Sequence, residues 1–228
     1  MSAPPNPQVT HALLLDAMGT LVRLEPPAPL LARALAEAGY PNPEERVAAA
    51  MREEIAYYRR HHLEGATPAA VSRLRAACAA VLADGLEVAP PVPELTELLV
   101  ESLRFETYAD VLPLLRGLRE RGVRVAVVSD WDCTLAEHLD RLGLRAWVDA
   151  VVVSAVVGVA KPDPRIFAMA LARLGVTRDT AIACGDDPVR DLAGAHAAGI
   201  RAVLIDREGR YPHLAPRIGT LADLAGWI

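Results

Sequence analysis

The chain has 228 residues, 52% of them hydrophobic and 4% aromatic, which suits one soluble globular domain with a sizeable insertion, or two small domains. A formal net charge of -5 and a pI near 5.7 argue against a nucleic-acid footprint or an anionic membrane surface, so the expected partner is a small molecule. Cys78, Cys133 and Cys184 share no Cys-x-x-Cys spacing, which suggests neither a zinc site nor a disulfide framework.

Residues 1–10 are rich in proline and polar side chains, without a positive start or an apolar core, and read as a frayed tail rather than a signal peptide. No apolar run approaches the length of a membrane span. With each cysteine read as a small core residue, a reducing cytoplasm fits the whole.

The apolar run Leu13-Leu14-Leu15 reads as a buried strand that stops at Asp16, followed by Ala17-Met18-Gly19-Thr20. In an open parallel α/β sheet, ligands gather beyond the carboxyl ends of the strands. Asp16 is therefore either a site residue or a turn aspartate capping its own loop.

A helical block follows. The pattern predicts helices over 30–38, closed by Gly39, over 43–62, over 67–84 with Thr67-Pro68 as N-cap and first-turn pair, and over 94–105. No strand signal interrupts it. About 80 residues of helix between the first two strands is too long for an ordinary crossover and reads as a separate domain.

Regular α/β alternation then begins. Helices are predicted over 112–121, 134–142, 164–174 and 189–198, between strands at Val123 to Val128, Val151 to Val153, Ala181 to Cys184 and Ala202 to Ile205. The strand ends carry Ser129-Asp130, Lys161-Pro162-Asp163-Pro164 and Gly185-Asp186-Asp187, with Asp191 five residues after Asp186. Lys161 is the only lysine in a chain whose other basic side chains, histidines aside, are all arginine. That points to a role needing a compact ammonium rather than a planar guanidinium.

Asp16-x-x-Gly19-Thr20, the strand ending at Ser129, Lys161-Pro-Asp-Pro and Gly185-Asp186-x-x-x-x-Asp191, in that order, resemble the four motifs of the haloacid dehalogenase-like hydrolases. The resemblance covers about residues 13–205 and extends to subfamily IA, whose C1 helical cap is inserted between the first and second motifs. It implies an α/β fold: a three-layer, Rossmann-like, doubly wound parallel sheet of strand order 3-2-1-4-5. The core would be 11–22 with 106–228, and the cap 23–105. Asp16 and Asp186 would then meet at the topological switch point.

The resemblance also implies a chemistry. Two close carboxylates raise one another's pKa unless a cation lies between them, and a hard divalent ion such as Mg2+ takes oxygen ligands. Asp16, Asp186 and the backbone carbonyl of Met18 would hold it, with Asp191 orienting Lys161 or a metal-bound water. Asp16 would be the nucleophile attacking phosphorus, with Lys161 as its catalytic partner. Thr20, Ser129, Asp130 and Lys161 would bind the phosphoryl group of a small phosphorylated metabolite. Asp130 and Asp187 depart from the usual small polar residues, and both also read as loop caps.

Met18 is the main departure, since phosphatases of this family carry an aspartate there that protonates the leaving group and later activates water. Tyr57, Tyr58, His61, His62 and Glu64, near the end of the second cap helix, could supply that function, or Arg59-Arg60-His61-His62 could be a solvated helix end. Two other readings stay open. One is a non-catalytic or regulatory member that binds a phosphorylated ligand. The other is a 2-haloacid dehalogenase, against which the intact Gly185-Asp186 counts.

Overall fold

The computed structural model describes residues 10–228. Residues 1–9 of the expected tail lie outside the described residues. Thr10 departs from that expectation, because it is buried and its hydroxyl donates to the Trp227 carbonyl at 3.4 Å.

The strands are β1 (Ala12–Leu15), β2 (Val22–Leu24), β3 (Phe105–Thr107), β4 (Arg124–Ser129), β5 (Ala150–Val153), β6 (Ala181–Gly185), β7 (Arg201–Ile205) and β8 (Arg217–Ile218). Six of them form one parallel sheet in the order β5-β4-β1-β6-β7-β8. Its first five strands follow the expected 3-2-1-4-5 order. The sixth, β8, has two residues, too few to carry a periodic signal.

β1 is the axis of the sheet, buried on both faces between β4 and β6, which is why it reads as an unbroken apolar run. Leu13 and Leu15 pack on one side with helices α5 (Val111–Glu120) and α6 (Leu135–Arg141). Ala12 and Leu14 pack on the other side with Ile166, Phe167, Ala170 and Leu174 of α8 (Pro164–Leu174). Helix, sheet and helix make three layers, with the strand ends opening at one edge.

The helical block consists of α1 (Pro27–Glu37), α2 (Glu44–His61), α3 (Pro68–Gly85) and α4 (Val92–Ser102), around a core of its own that includes Leu31, Leu35, Val47, Leu74, Leu82 and Leu95. Thr67 caps α3 by accepting from the Ala70 N–H at 3.3 Å. The remaining helices are the four-residue turns α7 (Ser154–Val157) and α9 (Gly194–Ala197).

Two expectations are corrected. α4 ends at Ser102, and Phe105–Thr107 is strand β3, paired antiparallel with β2, so a two-stranded ribbon joins the helical block to the sheet on both chain passages. The segment is short and its alternation is spent on a narrow ribbon, so it looks like a helix end in the sequence. The helix expected over 189–198 is a π-helical turn, Pro188–Ala193, leading into α9. The Asp187 carboxylate accepts from the Val189 and Arg190 N–H groups, and the Leu192 N–H reaches back five residues to the Asp187 carbonyl. That widened turn is a common device at functional sites.

The block touches the sheet domain through the last turns of α2 and the connection from α2 to α3. The Tyr58 hydroxyl donates to Asp132 at 3.1 Å, and the Cys133 N–H donates to the Gly65 carbonyl at 2.9 Å. No helix among the described residues is long and apolar enough to cross a membrane.

Asp110, just before α5, gathers the far end of the chain. It accepts from both terminal nitrogens of Arg207 (2.9 and 3.0 Å), from the Thr220 hydroxyl (2.7 Å) and from the Leu221 N–H (2.8 Å). The Arg207 guanidinium also lies 3.8 Å over the Tyr108 ring. Asp110→Ala leaves a largely buried guanidinium without its partner, and denaturant unfolding is expected to show a loss of about 3 kcal/mol.

Candidate active site

β1, β4 and β6 end side by side, so the residues that follow them converge. The Asp16 N–H continues the ladder to the Cys184 carbonyl at 3.0 Å, which sets Asp16 beside the start of the Gly185-Asp186 turn. Carboxylate oxygens of Asp16, Asp186 and Asp191 all lie within 4.8 Å of one another. Two glycines make this approach sterically open. A Cβ on Gly19, whose φ is +78°, would overlap the Asp186 carboxylate, and one on Gly185 would overlap that of Asp191.

Lys161 lies at the centre of the cluster. Its ammonium donates to Asp16 Oδ1 and to Asp191 Oδ1, each at 2.6 Å, and Ser129 Oγ donates to the same Asp16 oxygen at 3.1 Å. All four side chains are buried. A long flexible lysine adopts one position here because the partners are fixed around it: Asp130 accepts from the Lys161 backbone N–H at 2.9 Å, and Asp191 also accepts from the Asp187 N–H at 2.9 Å.

The charges do not balance. Burial pushes the Asp16 carboxyl up to about 7, with Lys161 pulling it down and Asp191 and Asp186 pushing it up. Asp186 is raised as well, first by burial and then by Asp191, with Arg210 working the other way. Burial disfavours the Lys161 ammonium, but Asp16, Asp191 and Asp130 outweigh it and hold the lysine above its ordinary value. Such a site has more negative charge than its two nearby cations can offset.

That excess, with a set of hard oxygen donors, fits a divalent cation. Asp16 Oδ2 and Asp186 Oδ1 accept no hydrogen bond from the described residues, nor does the Met18 carbonyl. Both Asp191 oxygens accept from protein donors, which suits that residue to holding Lys161.

Thr20 is fully buried, and its hydroxyl has no hydrogen-bond partner among the described residues. The Asp130 carboxylate is turned to the Lys161 backbone and acts as a strut for the lysine loop. Asp187 caps the turn that follows it, accepting from the Val189 and Arg190 N–H groups. The Met18 side chain is half-buried against the apolar face below β1.

Around the end of α2, His61 pairs with Glu64 at 2.8 Å and stacks on Tyr57, while His62 is buried with Nδ1 donating to the Arg59 carbonyl at 2.9 Å. None of these side chains hydrogen-bonds to Asp16 or Met18. Arg210, Asp132 and Asp206 escaped the sequence reading. Arg210 reaches Asp186 Oδ2 at 3.1 Å, and Asp206 is another buried acid at a strand end, directly after β7. The pattern that singled out Asp16 would have found Asp206; nothing local marks Arg210.

Residues 10–199 match the model of the haloacid dehalogenase-like hydrolases. The chain belongs to that family. A phosphoserine phosphatase of Thermus thermophilus is 36% identical over 154 residues, 63% of this chain and 62% of its own length. A glyceraldehyde 3-phosphate phosphatase of Methanopyrus kandleri is 42% identical over 111 residues, 48% of this chain and 47% of its own length. The chain thus spans less than two thirds of these relatives. An L-2-haloacid dehalogenase from Xanthobacter autotrophicus superposes with a TM-score of 0.67 at 22% identity, covering 95% of this chain and 97% of that one, a likeness of fold alone.

The raised Asp16 carboxyl has a consequence for stability. The folded chain keeps this proton where the unfolded chain has released it, so stability falls as pH climbs from 3.8 to about 7 and is level above. Asp16→Asn has no proton to lose. In chelator it is expected to melt several degrees above the native chain at pH 8, with the gap narrowing steadily towards pH 4 in thermal melts.

Proposed function

We propose that the chain is a Mg2+-dependent phosphatase of small phosphorylated metabolites, a subfamily IA member whose residues 23–105 form a C1 cap over a core of 11–22 and 106–228. The observation that carries this reading is Asp16 at the switch point, held by Ser129 and Lys161 and set beside Asp186. The phosphatase relatives support phosphorus as the target, and the Gly185-Asp186 turn supports a metal-assisted reaction. Three free cysteines suit a reducing cytoplasm.

Asp16, Asp186 and the Met18 carbonyl would hold the ion, which when bound supplies charge neutralisation for the transferring phosphoryl oxygens. The rest is done by the chain. Asp16 attacks phosphorus, the bond to the leaving oxygen breaks, and the resulting aspartyl-phosphate is cleaved by water to phosphate and free Asp16. Lys161 donates two of its three ammonium protons to Asp16 and Asp191, which leaves one for a phosphoryl oxygen. Asp191 keeps the lysine in place, and Ser129 fixes the attacking carboxylate.

Met18 can neither protonate a leaving group nor activate water. General acid–base catalysis contributes about 100- to 10,000-fold, or about 3 to 5 kcal/mol of barrier. The loss weighs on alkoxide leaving groups and little on acyl phosphates, so the enzyme should be selective for activated esters. The same substitution favours a second reading, a member that binds a phosphorylated ligand without turning it over.

A panel of acetyl phosphate, p-nitrophenyl phosphate and sugar phosphates tests the proposal. Native activity is expected to be Mg2+-dependent, highest on acetyl phosphate and absent in Asp16→Asn. Met18→Asp should raise the rate on sugar phosphates by at least tenfold. If Met18→Asp stays inactive while the native chain binds Mg2+, the phosphatase reading falls.

A further inference from the structure

Arg210 stands on the loop between β7 and β8, and that loop is built to present it. The buried Asp206 carboxylate accepts from the Arg210 N–H at 2.8 Å, from the Tyr211 N–H at 2.9 Å and from Arg217 at 3.2 Å. The backbone carrying Arg210 is therefore pinned, while its side chain remains 48% exposed. From that fixed base the guanidinium reaches Asp186 at 3.1 Å, with Glu208 3.6 Å away on its other side.

The division of cations within the site is uneven. Lys161 is committed to Asp16 and Asp191, at 2.6 Å from each. Asp186 receives no hydrogen bond from it, and its only ion pair among the described residues is with Arg210. Asp186 is also one of the two acids best placed to hold a divalent ion. A cation entering there meets a positive charge already resting on its ligand, and that charge sits on a long, half-exposed arm that can move away.

We propose that Arg210 is a displaceable counter-cation, which neutralises Asp186 in the metal-free protein and, once an ion takes over that charge, turns to receive an anionic oxygen of the substrate. This rests on the phosphatase reading and adds to it the residue that couples metal entry to anion binding. The bidentate fork of a guanidinium matches a phosphoryl group, and Glu208 and the Tyr211 ring, 5.5 Å from the Arg210 guanidinium, give the displaced arm a nearby resting place.

The two halves of the proposal have opposite signs, which makes the test decisive. Calorimetry on the full chain would measure Mg2+ binding alone, then inorganic phosphate binding in saturating Mg2+, for native, Arg210→Ala and Arg210→Lys. Arg210→Ala is expected to bind Mg2+ about threefold more tightly, because a half-exposed ion pair no longer competes. The same variant should bind phosphate about tenfold more weakly, having lost a charge-assisted hydrogen bond. Arg210→Lys, which keeps the charge but not the fork, should stay near the native Mg2+ affinity and bind phosphate with an affinity between those of the native chain and Arg210→Ala. Affinities that are unchanged, or that move together as they would if Arg210 merely oriented Asp186, overturn the inference. If the native chain binds no Mg2+, the metal reading itself falls, and this inference with it.

Discussion

A single buried ammonium organises the strand ends. Lys161 lies between Asp16 and Asp191 at 2.6 Å from each, and all three are removed from water. Taking these charges out of solvent costs several kcal/mol each, and only close mutual contact offsets it. The arrangement is therefore intolerant of slack: the loop carrying Lys161 is tied to Asp130, and the π-helical turn carrying Asp191 is tied to Asp187. A guanidinium would be too broad for this place, which gives a physical reason for the lone lysine in an arginine-rich chain.

The rest of the fold supplies that rigidity from a distance. β1 is clamped between two parallel neighbours and covered on both faces, so the residue after it has little freedom. Gly19 and Gly185 remove the Cβ atoms that would keep the acids apart. At the next strand end, Asp206 repeats the device in a structural role, holding a loop by its N–H groups. The helical block, with its separate core, touches this edge at Tyr58 and Gly65, beside the loop that follows Ser129.

Much of this was legible in the sequence, for reasons that can be named. Strands buried on both faces leave apolar runs, and each run that ended in an acid or hydroxyl pointed to the same edge of one sheet. Asp16, Ser129 and Asp186 stand out in this way, Lys161 as the only lysine and Asp191 by its spacing from Asp186, and the five lie together. What was missed depends on tertiary contacts without a periodic signature. β3 and β8 are too short to alternate visibly, the widened turn at Pro188–Ala193 arises from side-chain caps, and Arg210 acquires its place only through a loop pinned by Asp206. The unpartnered Thr20 hydroxyl and the hold of Asp130 on the Lys161 N–H are likewise tertiary facts that no local pattern announces.

On the proposed mechanism, an Asp16 carboxylate oxygen carries the covalent phosphoryl intermediate. Because Met18 should slow the water step more than attack on an activated donor, the intermediate is expected to accumulate. Rapid acid quenching after mixing with acetyl phosphate and Mg2+, followed by peptide mass spectrometry, would detect it. The account predicts one added phosphoryl group on the peptide containing Asp16, dependent on Mg2+ and absent from Asp16→Asn. Turnover without any such adduct, or an adduct on another residue, would contradict it.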